Sequence, residues 1–265
     1  MSEPTSIRTP SSPSIEEPLC RSALYGTLSL SLHRPSQANL DHLRSPDTTA
    51  ALAAAVSLME SNAPNDACSG LEARLGVWLP AIESLTMDSW QSGYTRMFGH
   101  TARGKVCPYE TEYGQQGLFE QPRQLAKISG FYRAFGLEAA GVGHERADHA
   151  SCELEFLEFL CRKEAVAAEM EDSGTLEETQ KAMRLFLRDH VGRFARAFAR
   201  HLEENDPDGF YGQLGSLLFD YVTLECQRAG IPPGLALLQI READDDSTPM
   251  ACGGQEELVQ LRVPS

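Results

Sequence analysis

No stretch of this 265-residue chain strings together the roughly 18 apolar residues of a membrane-spanning helix, so nothing in it is expected to cross a bilayer. Basic residues are scarce. Lys and Arg number 23 against 38 Asp and Glu, giving a net charge of −15 and a pI near 4.9. That balance argues against sequence-independent nucleic-acid binding, which neutralises phosphates with basic groups. It suits a basic partner, although solubility alone is the commoner reason for such acidity. The seven cysteines (Cys20, Cys68, Cys107, Cys152, Cys161, Cys226, Cys252) include no Cys-x-x-Cys pair and no Cys/His group at zinc spacing. An odd, scattered set fits a reducing compartment. The first 17 residues, rich in Ser, Pro and Thr, lack the apolar run of a secretory signal, and the protein is expected to be soluble and cytoplasmic. There is no Walker A loop, and the glycines of 136–143 lack both Gly-x-Gly-x-x-Gly order and a preceding strand, so no cofactor is expected.

What is present is helical. Leu24, Leu28 and Leu32 recur at four-residue spacing with Tyr25 alongside, and Pro35 ends that element. An Ala-rich helix at 49–61 is stopped by Pro64, Asn65 or Asp66 is placed to cap a helix through Leu71, Leu75 and Leu79, and a fourth is expected over about 80–98. Further helices are expected from near Arg123 to Phe135 and from near Asp148 to about Glu171. A capping box of Thr175 and Glu178 opens a long one through Phe186, His190, Phe194 and Leu202, and 206–208 starts the last, through Phe210 and Tyr221 to Glu225. No alternating strand pattern interrupts the series. The expected fold is a single compact all-α domain of about eight helices over 18–242, with a disordered tail at 1–17 and an acidic C-terminal tail at 243–265. Its long irregular connection, 99–122, is unusual for a compact domain unless it has a function. With the break at 136–147 it flanks one helix, so the two can converge on one surface.

Two segments carry the chemistry. Cys107-Pro108-Tyr109-Glu110-Thr111-Glu112-Tyr113 places aromatic and acidic groups in the connection, and Glu145-Arg146-Ala147-Asp148-His149 leads into Glu153-Leu-Glu-Phe-Leu157. Such groups on connections held by rigid helices more often meet a partner than fill a core. Asp148 falls at the expected helix start, where capping alone accounts for an aspartate. His149 and Glu153, four apart, share a helical face. His144, Glu145, Asp148, His149 and Glu153 are all potential metal ligands, but their spacing matches neither His-Glu-x-x-His nor the Glu-x-x-His of di-iron bundles. Cys107 has no histidine set beside it to activate it, and Trp78 and Trp90 are expected in the core. The acidic excess from Glu153 to Glu178 reads as a solvated face, or as a wall able to receive arginine guanidinium groups beside Tyr109 and Tyr113.

These residues resemble the TorD/DmsD/NarJ-like redox-enzyme maturation chaperones. The resemblance runs from about Arg21 to Tyr221, on Arg21-x-x-Leu24-Tyr25, Tyr94-x-x-Met97-Phe98 and Glu145-x-x-Asp148-His149 with the Glu-Leu-Glu-Phe helix start after it. The Pro108–Tyr113 segment is similar to members serving the nitrate, dimethylsulfide, ethylbenzene, selenate and chlorate group of molybdenum enzymes. The resemblance implies an all-helical cytoplasmic chaperone and no enzyme. Such a protein binds the molybdenum-containing catalytic subunit of a redox enzyme, through its twin-arginine leader or another part, and withholds it from export until the molybdopterin cofactor is inserted. It implies a monomer or a dimer, and a leader-binding surface of Tyr25, Phe98, Pro108, Tyr109, Asp148 and His149; the residue pattern adds Tyr113, Glu145 and Glu153 to the expected partner-binding set. Release after handover calls for micromolar affinity, about −8 kcal/mol. Two other readings stay open: an all-α metal-dependent enzyme built on Asp148, His149 and Glu153, and a helical scaffold that joins partners through apolar faces.

Overall fold

Leu24, Tyr25, Leu28 and Leu32 form the buried stripe of helix α1 (Glu16–Leu32), and Ser22, Ser29 and Ser31 are buried as well. Small residues on that face let α1 close tightly on α7 (Ala150–Glu169). A Cβ on Gly26 would stand 3.2 Å from Glu158 Cγ, and Ser29 Oγ donates to the Ser151 carbonyl at 2.9 Å. The computed structural model describes residues 15–63, 70–99, 104–114, 120–139, 145–240 and 261–262. Within them the remaining helices are α2 (Gln37–Leu43), α3 (Pro46–Ser61), α4 (Leu71–Ser84), α5 (Met87–Phe98), α6 (Gln121–Ala134), α8 (Ser173–Asp189), α9 (Val191–Asn205) and α10 (Phe210–Arg228). A 3₁₀ turn covers Glu110–Glu112, and two-residue strands β1 (Glu138–Ala139) and β2 (Leu261–Arg262) pair antiparallel. The fold is all-α. Helix α7 packs between α1 and α8, α10 packs against α9 and α4, and α3 covers the other side of α1. Trp78 and Trp90, expected in the core, are fully buried and meet there around Phe210. Each fully buried Leu or Phe of this core contributes about 1.5–3 kcal/mol by leaving water.

Ten α-helices stand among the described residues where about eight were expected. One addition is α2, whose seven residues are too short to show a period, although Ser36 caps it by accepting from Asn39 N–H. The other comes from the expected long helix, which breaks at His190 (φ −129°, ψ −99°) into α8 and α9. The chain then doubles back so closely that a Cβ on Gly192 would stand 2.4 Å from the Leu187 carbonyl oxygen. Apolar periodicity runs through the break unchanged, which hides it from the sequence. Asp172, rather than a Thr175/Glu178 box, caps α8, accepting from Thr175 N–H at 3.0 Å. Pro80 lies within α4 and does not start the next helix. Gly76, the residue whose carbonyl Pro80 leaves without a donor, is exposed and can be hydrated. Helix α5 starts instead at a capping box of Thr86 and Ser89. The expected Asn65 or Asp66 cap, His144, Cys68, Cys252, residues 1–14 of the N-terminal tail and, apart from β2, the tail at 243–265 lie outside the described residues.

Candidate functional site: a cleft between helix α5 and the paired Tyr109 and His149 segments

After α5 the chain turns back on itself at Gly99, whose φ of 66° is strained for any residue with a side chain. It then passes over the end of α5, where Gly104 lies against the Phe98 backbone and Val106 N–H donates to the Met97 carbonyl at 2.9 Å. From there the connection runs antiparallel to the approach to α7. Glu110 N–H donates to the Asp148 carbonyl at 2.9 Å, Ala150 N–H donates to the Pro108 carbonyl at 2.8 Å, and Tyr109 bridges to His149. The two irregular segments therefore converge, with Tyr109 and His149 side by side, their ring centroids 5.3 Å apart and edge to face.

Asp148 fastens this pairing from inside. It is fully buried, and Arg146 grips it with two bonds, Nε to Oδ1 at 2.9 Å and Nη2 to Oδ2 at 2.6 Å. Thr111 Oγ1 closes the triangle, donating to Asp148 Oδ2 at 2.7 Å and accepting from Arg146 Nη2 at 2.9 Å. Asp148 is not the helix cap. His149 is: its Nδ1 accepts from Ser151 N–H at 3.1 Å and contacts Ser151 Oγ at 2.7 Å. Burial drives the His149 pKa down to about 4 against the pull of Glu145, so the ring is neutral at pH 7. Arg146 also covers the Tyr109 ring, 4.4 Å above its centroid.

Above this base opens a cleft of about 440 Å³. One wall is α5, with Gln91, Tyr94, Thr95 and Phe98; facing it are Pro108, Tyr109, Glu145 and His149, and Arg34 and Pro35 of the α1–α2 connection close one side. Glu145 is its polar focus. Oε1 accepts from Arg34 Nε at 3.0 Å and Oε2 from the Tyr109 hydroxyl at 3.2 Å. Burial opposes ionisation of Glu145, but His149, in the acid range where its ring is protonated, together with the Arg34 guanidinium and the Tyr109 hydroxyl, outweighs it and holds the carboxyl below its usual range. Burial, followed by the charge of Glu145, pushes the Tyr94 hydroxyl up to about 12, and the same causes raise Tyr109. The cleft thus pairs one ionised carboxylate with aromatic rings and the Pro108 edge. That combination suits a cation attached to an apolar segment.

Of the nine residues singled out in the sequence, five line this cleft: Phe98, Pro108, Tyr109, Glu145 and His149. The other four are buried elsewhere. Tyr25 is fully enclosed and donates to Glu225 Oε2 at 2.9 Å. Tyr113 donates to the Cys107 carbonyl at 2.7 Å and packs on Phe194, holding the connection from below. Asp148 is the clasp just described, and Glu153 lies inside the protein. Burial first, then the neighbouring Glu110 carboxyl, raise the Glu153 pKa well above normal. Asp148, His149 and Glu153 turn to different partners, and no group of three or more His, Cys, Asp and Glu placed to hold a metal occurs among the described residues. Burial pushes Cys107 up to about 12, so it stays a thiol and no nucleophile. The acidic run after Glu153 does not form one solvated face, since Glu153 and Glu164 are both buried. Sequence reasoning missed Arg34, Gln91 and the clasp partners Arg146 and Thr111. Only Arg146 had a local signal, two positions before Asp148.

A larger cavity, about 760 Å³, lies between α6 and the α8–α9 junction, lined by Phe131, Lys127, Arg193, His190 and Glu110 among others. None of the nine residues lines it, so size does not pick out the candidate site.

Residues 62–200, more than half of the chain, match the family described as nitrate reductase delta subunit. That span holds every cleft residue except Arg34 and Pro35. The chain is 29% identical over 156 residues to a chlorate reductase assembly chaperone protein of Ideonella dechloratans, covering 58% of this chain and 76% of that one. It is 29% identical over 155 residues to a selenate reductase assembly chaperone protein of Thauera selenatis, covering 57% and 74%. A perchlorate reductase assembly chaperone protein of Dechloromonas aromatica (strain RCB) is 41% identical over 83 residues, 31% of this chain and 35% of that one. These relatives are named as reductase assembly chaperones. With its all-α fold and the match over 62–200, the chain belongs to the nitrate reductase delta subunit family.

Proposed function

We propose that this protein is an assembly chaperone for the catalytic subunit of a molybdenum-containing reductase. It binds an arginine-bearing, apolar segment of that subunit, the twin-arginine leader, and holds the subunit in the cytoplasm for molybdopterin cofactor insertion before export. The helical unit 18–242 is the chaperone domain. The observation that carries this reading is the cleft itself: a carboxylate held ionised at Glu145, flanked by Tyr94, Phe98, Pro108 and Tyr109, on a chain whose relatives are named as reductase assembly chaperones. A leader with two guanidinium groups and an apolar stretch offers the matching chemistry, and the net charge of −15 favours its approach over long range. Asp148 and His149 act by holding the Tyr109 segment in place, and Tyr25, Tyr113 and Glu153 support the scaffold.

The test is affinity purification of the tagged protein from its native cells grown with molybdate, with co-purifying chains identified by mass spectrometry. The expected result is a stoichiometric molybdenum catalytic subunit that retains its leader. Recovery of the protein alone, from cells shown to express such an enzyme, overturns the proposal.

A further inference from the structure

Glu145 faces the cleft with both oxygens already taken by donors of its own chain: Arg34 Nε on Oε1 at 3.0 Å and the Tyr109 hydroxyl on Oε2 at 3.2 Å. The two partners of the ion pair differ in exposure. The Glu145 side chain is 13% exposed, whereas that of Arg34 is 69% exposed on the short connection between α1 and α2. A carboxylate so enclosed has lost most of its water and needs a donor in its place. An exposed guanidinium is hydrated as well without the carboxylate as with it, so it is easily exchanged. Arg34 also lines the cleft beside Glu145, so its guanidinium fills space that an occupant would need.

From this geometry we infer that Arg34 is an internal ligand of the cleft, holding in the empty chaperone the carboxylate position that an arginine of the client segment takes when it binds. The inference rests on the cleft reading above and adds regulation to it. An incoming guanidinium displaces Arg34, and on handover Arg34 returns to Glu145, so the carboxylate never stands unpaired and release is assisted from within. A lysine replaces it poorly, because a compact ammonium does not match the planar fork. An internal competitor scales the apparent affinity by the fraction of molecules in which Glu145 is free. For an exposed ion pair that is a factor of about two to five.

The test uses fluorescence anisotropy on the full chain with two labelled peptides. One carries a consecutive arginine pair before an apolar stretch; the other has glutamine at both arginine positions. Arg34→Ala is expected to tighten the arginine peptide by about two- to fivefold and to leave the glutamine peptide unchanged. Adding Arg34→Ala to Glu145→Gln is expected to change nothing further. Because Arg34 is exposed, thermal unfolding checks that the variant stays folded, and Arg34→Gln repeats the measurement with a side chain of similar length. Weaker or unchanged binding of the arginine peptide by both Arg34 variants, while the wild type prefers it to the glutamine peptide, overturns the internal-ligand role and leaves the cleft reading intact. Equal binding of both peptides by the wild type overturns the cleft reading, and this inference with it.

Discussion

Arg21 and Arg34 stand at either end of the same story, one at the start of α1 and the other just beyond its end, and each holds a glutamate from far along the chain. Arg21 is 3% exposed, grips Glu225 through Nε and Nη2 at 2.9 and 2.8 Å, and reaches Glu164 with Nη1 at 2.9 Å. The Tyr25 hydroxyl and Arg228 also donate to Glu225, and Gln180 donates to the second Glu164 oxygen. Every partner is committed to another, and the central pair, Arg21 and Glu225, is closed to water. Arg34 makes one bond to one carboxylate at the edge of an open cleft. The same pair of residue types therefore ties helices together in the first place and offers an exchangeable docking point in the second. Exposure decides which, and residue type does not.

Breaking the buried tie has the largest expected effect. Arg21→Met takes the cation from Glu164 and leaves Glu225 with Arg228 alone, and is expected to cost about 3–5 kcal/mol in denaturant unfolding. Asp148→Ala is expected to cost less, about 1.5–3 kcal/mol, because the Arg146 it releases is 30% exposed and can be hydrated. A loss as large as that of Arg21→Met would mean that the clasp is as closed as the tie.

The buried groups near the cleft also separate by pH. His149 has a folded-state pKa of about 4, below its usual 6.5, so the unfolded chain binds the extra proton first. Stability from this group is complete above about pH 6.5 and falls by up to about 1.4 kcal/mol per unit as pH drops toward 4. His149→Asn, which keeps an N-cap, is expected to flatten that slope by this amount. Glu153 has the opposite sign. Its raised pKa means that stability is lost as pH rises above the ordinary carboxyl range, so Glu153→Gln is expected to gain stability at pH 8 relative to pH 5. Urea midpoints across pH 4–8 check both. The smallest expected effect on stability is that of Glu145→Gln, within about 1 kcal/mol, since its ion-pair partner is exposed.

The helices were largely legible because apolar spacing and Pro or Gly stops report burial of one face. Where the reading failed, the cause lay outside that signal. The α8–α9 break keeps its apolar period, and α2 is shorter than two full turns of evidence. The convergence of the two irregular segments was legible from their placement around one helix. The roles within it were less so. Asp148 and His149 were singled out together, yet neighbours in sequence point oppositely, one inward to Thr111 and Arg146 and the other along the cleft edge. Tyr25 sits in a motif at the start of the chain, but its partner Glu225 lies 200 residues away. Arg34 and Glu145, 111 residues apart, show no local pattern that would join them. Long-range polar pairing is set by packing, and periodicity carries no record of it.

The central claim is that the client meets the cleft and not the buried tie. Isothermal titration of an arginine-bearing leader peptide into wild type, Glu145→Gln and Tyr25→Phe tests it most directly. Tyr25→Phe removes a buried hydroxyl at a cost of about 1 kcal/mol and leaves a folded protein. The account predicts that Glu145→Gln loses about tenfold or more in affinity while Tyr25→Phe binds as the wild type does. Wild-type affinity in Glu145→Gln, or an equal loss in Tyr25→Phe, would contradict it.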